Sequence, residues 1–359
     1  MSRSHNFSAG PAVLPLEVLQ RVEKELVDYK GTGSSIIELS HRGPEYTEVH
    51  TQAQEKLKKI LGLGDDFEVL FLQGGASTQF LMVPYNYLRE GETADYLNTG
   101  SWSSKAIKEA KLFGNVNEAF SSKDVNFNRV PTDSEVNYSD NPNYVHFTSN
   151  NTIFGTQFRK EPETGGTPLV CDASSDFLSR PIDVDKYGII YAGAQKNAGP
   201  SGVTIVAIRK DMLEKAYTEN IPSMMNYQTH AKTLFNTPPV FAVYFFNYVL
   251  DWIQDKGGLK QMEELNRKKA EKLYAELDKD DFFRGTAEKE SRSHMNVTFR
   301  LADEDLEKTF IEEAAKQNLN GLKGHRSVGG MRASIYNACP EESVDALISF
   351  MQDFRQKHG

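Results

Sequence analysis

Cysteine is nearly absent. Cys171 and Cys339 are the only two in 359 residues, too few for a disulfide framework and without metal-ligand spacing, so no metal is expected. Cys171, inside an apolar run, reads as a small buried hydrophobe. A positive excess is missing too. The formal charge of -9 and a pI near 5.5 argue against broad affinity for nucleic acid or an anionic membrane. Any anion must therefore be recognised by local clusters. No apolar stretch reaches membrane-spanning length, and the opening Met1-Ser2-Arg3-Ser4-His5-Asn6 has no apolar signal core, so a cytoplasmic location is expected. Internal repeats and low-complexity tracts are also lacking.

What is present is enough apolar residue, 39% hydrophobic and 11% aromatic, for one large domain and a smaller one. Val18, Leu19, Val22 and Leu26 share one helical face within Pro15–Tyr29, and Val49, Ala53, Leu57, Ile60 and Leu61 share another within Tyr46–Leu61. Phe67–Leu72 reads as a strand entering the turn Gly74-Gly75-Ala76-Ser77-Thr78, with a helix expected over Gln79–Tyr87. Further strands are expected at Ala94–Asn98, Tyr144–Thr148, Leu169–Cys171, Gly188–Ala192 and Val203–Arg209. Their spacing suggests crossover units and a mainly parallel sheet, an α/β fold.

Val240–Ile253 is apolar nearly all round, which predicts a helix buried on most sides or placed at a subunit interface. Lys256-Gly257-Gly258 then marks the expected domain boundary. Beyond it, a helix over Leu259–Leu277, strands at Met295–Leu301 and Gly330–Tyr336, and helices over Asp303–Gln317 and Pro340–Phe354 predict a compact α+β unit. The division read from the chain is 1–15 as a segment attached to the small domain, 16–256 as the large cofactor-binding domain, and 257–359 as the small domain.

Two residues carry the chemistry. Lys196 follows the apolar run before Gly193-Ala194-Gln195, and Asp172 ends the run Pro168–Cys171. One amine and one carboxylate at strand ends suit pyridoxal phosphate, which is held as an imine and needs its pyridine nitrogen kept protonated. Ligands of parallel α/β sheets bind at those ends. A desolvated lysine also has the lowered pKa that nucleophilic work requires. The Gly74–Thr78 turn offers backbone amides to a phosphate. Trp102 could lie flat over a heteroaromatic ring, and Thr152 offers a hydroxyl at the same sheet edge. The clusters His41-Arg42 and His325-Arg326…Arg332 suit a substrate with two anionic ends. Each also admits a plain role: a surface lysine, a helix cap at Asp172 or Thr152, a core tryptophan, exposed salt bridges.

Taken together, Asn6–Pro15, Ser40-His41-Arg42, Gly100-Ser101-Trp102, Gln195-Lys196-Asn197 and the His325–Arg332 string resemble the phosphoserine aminotransferases, over essentially the whole chain. The resemblance implies a fold type I pyridoxal-phosphate transferase, homodimeric with shared active sites. Its reaction would interconvert phosphoserine and 2-oxoglutarate with 3-phosphohydroxypyruvate and glutamate, in serine biosynthesis and, in many bacteria, also in pyridoxine synthesis. By the same resemblance Lys196 binds the cofactor and shuttles the proton, Asp172 pairs with the pyridinium, Trp102 stacks, and Thr152 bonds the phenolic oxygen. Ala76, Ser77 and Gln195 hold the phosphate, joined by Asn236 and Thr237 of the other subunit. Arg332 takes the α-carboxylate, while His41, Arg42, His325 and Arg326 receive the distal anion. Two departures stand out: Ala9 where some members have serine, and Ser77 where some have an arginine that helps bind the distal anion. Phosphate recognition is therefore expected to rest on fewer cations. Two rivals remain. One is a cysteine desulfurase or lyase of the same fold, if a helix start at Pro340 lowered the Cys339 thiol pKa. The other is a catalytically silent cofactor-binding scaffold.

Overall fold

The computed structural model describes residues 3–359. Seven strands form one sheet in the order Phe67–Leu72, Thr204–Arg209, Tyr187–Gly193, Leu169–Asp172, Val145–Thr148, Thr93–Asn98 and Asn115–Ser121. Thr204–Arg209 runs antiparallel to both of its neighbours, and every other pairing in the sheet is parallel. Every residue of Tyr187–Gly193 is buried, as expected where helices cover both faces. Strand alternation sorts side chains between those faces: Ile205 and Ala207 join one apolar cluster, Val206 and Ile208 the other.

The first cluster holds the helices Leu16–Glu25, Pro44–Leu61 and Val240–Asp255, and the opposite face is covered by Gly75–Tyr87 and Ser101–Ala110. Val240–Asp255 is buried along most of its length. A separate cluster gathers Phe7 and Val13 with the inner faces of Gly258–Leu277 and Glu341–His358 against an antiparallel sheet of Arg284–Gly285, Asn296–Arg300 and Met331–Ser334. His5–Asn6 is held there, pairing in parallel with Leu319–Asn320. Among the described residues no helix is long and apolar enough to cross a membrane.

Some expected boundaries move. The first helix stops at Glu25 instead of continuing to Tyr29, because Tyr29 turns inward to meet Tyr244 edge-on with ring centroids 5.6 Å apart. The helix expected from Gln79 begins at Gly75, inside the glycine turn. The strand Asn115–Ser121 and the helix Ser101–Ala110 were not foreseen.

The register aligns the ends that matter. Thr204 pairs with Leu72 on one side and Gly193 on the other, while Asp172 pairs with Thr148 and Tyr191. The residues that leave these strands therefore emerge along one edge of the sheet, at the carboxyl ends of its parallel strands.

Candidate active site

Lys196 lies just beyond Gly193 on this edge, and its amine donates to Thr152 Oγ1 at 2.5 Å. Burial lowers its pKa to about 8, with Asp172 pulling it back up and Arg332 pushing it further down. Both flanking residues are tied down: Ala12 N–H donates to the Gln195 carbonyl at 2.9 Å, and Asn197 Oδ1 accepts from Asn337 N–H at 2.8 Å. Gly10 passes so close that a Cβ there would sit 3.2 Å from Lys196 Cγ.

Asp172 is 4% exposed. Its Oδ1 accepts from Ser174 twice, from the hydroxyl at 2.6 Å and from N–H at 3.0 Å; among the described residues Oδ2 takes no bond. Burial raises its pKa, against the Ser174 hydroxyl and then the Lys196 charge. Such a carboxylate is completed by a cationic N–H donor. Trp102 opens the helix Ser101–Ala110, its ring centroid 5.3 Å from the Lys196 amine.

Arg332 reaches the same point from the strand Met331–Ser334. It donates to the Thr152 carbonyl at 3.1 Å, and its Nε is buried without a partner. Thr152 thus touches the lysine with its hydroxyl and the arginine with its carbonyl. His325 Nδ1 is engaged by Ser327 Oγ at 2.7 Å. Its pKa is held below the usual imidazole value by burial first, then by the charges of Arg332, Arg326 and Lys105.

Ala76 and Ser77 occupy the first turn of Gly75–Tyr87, whose early amides have no helical acceptors. The turn needs glycine: Gly74 has φ 89°, and a Cβ there would fall 1.8 Å from Thr78 Oγ1. Gln195 folds against Gly193, where a Cβ would meet its Oε1 at 2.6 Å. Thr204 bridges the two strand ends, so this turn and the Lys196 segment lie about 10 Å apart.

Not every sequence candidate gathers here. Asn236 Nδ2 donates to Gln73 Oε1 at 2.7 Å, next to the glycine turn, and Thr237 follows it. No hydrogen bond or ion pair of His41 or Arg42 reaches Lys196 or Asp172 among the described residues; Arg42 N–H instead closes a turn on Ser40 Oγ. Cys339 overturns the desulfurase rival: the thiol is 3% exposed and burial pushes it up to about 11, the opposite of a reactive thiolate. Sequence reasoning missed Ser174, although a serine two places after an aspartate is a common turn signal. The packing of Gly10 on Lys196 had no local signal.

An amine with a lowered pKa, a buried carboxylate with one oxygen free, an indole ring and a helix start are the donor set that pyridoxal phosphate requires. The residues fit the group.

The sequence matches the aminotransferase class-V family over residues 4–347. It is 55% identical to a phosphoserine aminotransferase of Desulfatibacillum aliphaticivorans over 100% of this chain and 99% of that one. For one of Niallia circulans the identity is 52%, over 99% of each. The solved phosphoserine aminotransferase of Bacillus circulans subsp. alkalophilus superposes with a TM-score of 0.97 at 52% identity, covering 99% of both chains. The PLP-bound phosphoserine aminotransferase of Trichomonas vaginalis superposes with a TM-score of 0.93 at 42% identity, covering 98% of this chain and 100% of that one. By sequence and by fold alike, the chain belongs to the class-V aminotransferases and, within them, to the phosphoserine aminotransferases.

Proposed function

We propose that the chain transfers the amino group of O-phospho-L-serine to 2-oxoglutarate, reversibly giving 3-phosphohydroxypyruvate and L-glutamate, as a step of serine biosynthesis. The observation that carries this reading is Thr152, which joins the Lys196 amine at 2.5 Å to the Arg332 guanidinium at 3.1 Å. The proposed proton carrier and the proposed carboxylate receptor are thereby both tied to one residue.

Bound here, pyridoxal phosphate supplies the electron sink that makes a substrate α-proton acidic. With a pKa of about 8, Lys196 can hold and release a proton near neutral pH, so its amine collects the α-proton and redelivers it within the site. Thr152 aims that amine. Asp172, fixed through Oδ1 by Ser174, would have Oδ2 free to hold the pyridine nitrogen in its protonated form. Trp102 covers the ring. Arg332 grips the α-carboxylate at two points, and His325 and Arg326, with His41 and Arg42, receive the distal phosphate or the glutamate side-chain carboxylate. Ala76, Ser77 and Gln195 would cradle the cofactor phosphate.

We further read the working unit as a homodimer in which Asn236 and Thr237 of one copy complete the phosphate cradle of the other. Support comes from Phe235, 43% exposed beside them, an apolar side chain that a second copy would cover. Within each copy, residues 16–256 serve as the large domain and 257–359 as the small one. The pairing of His5–Asn6 with Leu319–Asn320 supports attaching residues 1–15 to the latter.

A coupled assay with O-phospho-L-serine and 2-oxoglutarate, repeated with L-alanine and L-aspartate as donors, tests the substrate. The phosphorylated donor is expected to be strongly preferred. Equal rates with all three would refute the assignment.

A further inference from the structure

We propose that Lys105 is a cation of the distal-anion subsite and sets the preference for a phosphorylated substrate; this rests on the phosphoserine reading and deepens it. Lys105 lies three residues after Trp102 on the helix Ser101–Ala110. Side chains on a helix lean toward its N-terminus, and here that end opens on the sheet edge that carries Lys196. The Lys105 amine lies over the indole of Trp102. It stands 4.3 Å from the Trp102 ring centroid, and the Lys196 amine stands 5.3 Å from the same centroid, so no more than about 10 Å separates the two amines.

A three-carbon amino acid phosphorylated on its side chain spans roughly 3–4 Å from α-carbon to phosphorus, and about 5 Å to the outer phosphate oxygens. We place such a substrate with its α-carbon facing Lys196 and its phosphate passing the edge of the indole toward Lys105. His325 feels the Lys105 charge together with those of Arg332 and Arg326. Lys105, Arg326 and Arg332 form no ion pair among the described residues, whereas many of the chain's other cations do. The cluster is therefore positive and uncompensated, and a phosphate dianion supplies the counter-charge. Ser77 brings no cation from the neighbouring helix start, and Lys105 brings one from this one.

The test uses holoenzyme of the native chain, Lys105→Met and Lys105→Arg. Steady-state kinetics are run with O-phospho-L-serine, and inorganic phosphate binding is measured by calorimetry. Lys105→Met is expected to raise KM for phosphoserine about tenfold and weaken phosphate binding by a similar factor, with kcat falling less than threefold. Lys105→Arg is expected to restore both. Unchanged KM and phosphate affinity in Lys105→Met would overturn the proposal, as would a fall in kcat alone or no rescue by arginine, since those mark a merely structural lysine. If the native chain does not turn over phosphoserine, the substrate reading fails separately, and calorimetry still decides Lys105.

Discussion

Burial is what makes the Lys196 amine useful, and it has a cost in stability. Its folded pKa of about 8 lies below the ordinary value of 10.5. Between those pH values the unfolded chain binds more protons than the folded one, so stability rises with pH across that window. Below pH 8 the full penalty is present. Lys196→Met in the cofactor-free chain should therefore raise stability at pH 7 by on the order of 1–3 kcal/mol and flatten the rise between pH 8 and 10.5. Denaturant melts across that range check this, and a lower midpoint for the variant would contradict it. Asp172→Asn keeps the shape but removes the charge; kcat should fall about 100-fold or more, measured in the phosphoserine assay. The placement of both at the sheet edge is legible in the sequence because Asp172 ends one apolar strand and Lys196 lies three residues beyond the end of another. Ser174 and Gly10 are not, since their roles lie in contacts: two bonds onto Asp172 and a backbone passing Lys196 Cγ. Cys339 misleads for a related reason: position relative to a helix start does not reveal that the thiol is enclosed.

The turn from the strand Phe67–Leu72 into the helix Gly75–Tyr87 combines a backbone constraint with a steric one. Gly62 separates the two, having φ 74° but no atom within 4 Å of a built Cβ, whereas at Gly74 the Cβ would overlap Thr78 Oγ1. Gly62→Ala should cost about 1 kcal/mol from backbone strain alone. Gly74→Ala should cost roughly 2–4 kcal/mol and loosen cofactor retention, because the helix start proposed to hold the phosphate must shift. Thermal melts and dialysis of the holoenzyme measure both effects, and equal costs at the two sites would remove the steric part of this account. Elements with continuous apolar runs are readable to within a residue or two. The strand Asn115–Ser121 escapes because it is an edge strand, its exposed and partly buried residues giving no apolar run. The helix Ser101–Ala110 buries only Ser103, Ala106, Ile107 and Ala110, a face too small and too polar to stand out.

At the scale of the molecule, buried polar side chains join the segment that follows the strand Val145–Thr148 to the three-stranded sheet. Asn150 donates to Asn296 Oδ1 at 2.7 Å and to Ser175 Oγ at 2.9 Å, and Asn296 reaches on to Ser334 and Tyr336. Residues so far apart in the chain give no periodic signal, so this junction is invisible to sequence reading, although both segments it joins were placed. The same holds for any site shared between two copies, and a hybrid experiment decides whether one exists. Lys196→Ala removes the proposed proton carrier. Asn236→Asp sets a carboxylate where the proposed phosphate of the partner copy lies, so each homodimer should be nearly inactive. If the site is shared, a hybrid dimer holds one complete site, formed by Lys196 of one copy and Asn236 of the other. Random re-pairing of equal amounts makes half the dimers hybrid, so activity should return to about a quarter of native per chain. If each site is built within a single chain, every site in the hybrid is defective and mixing restores nothing.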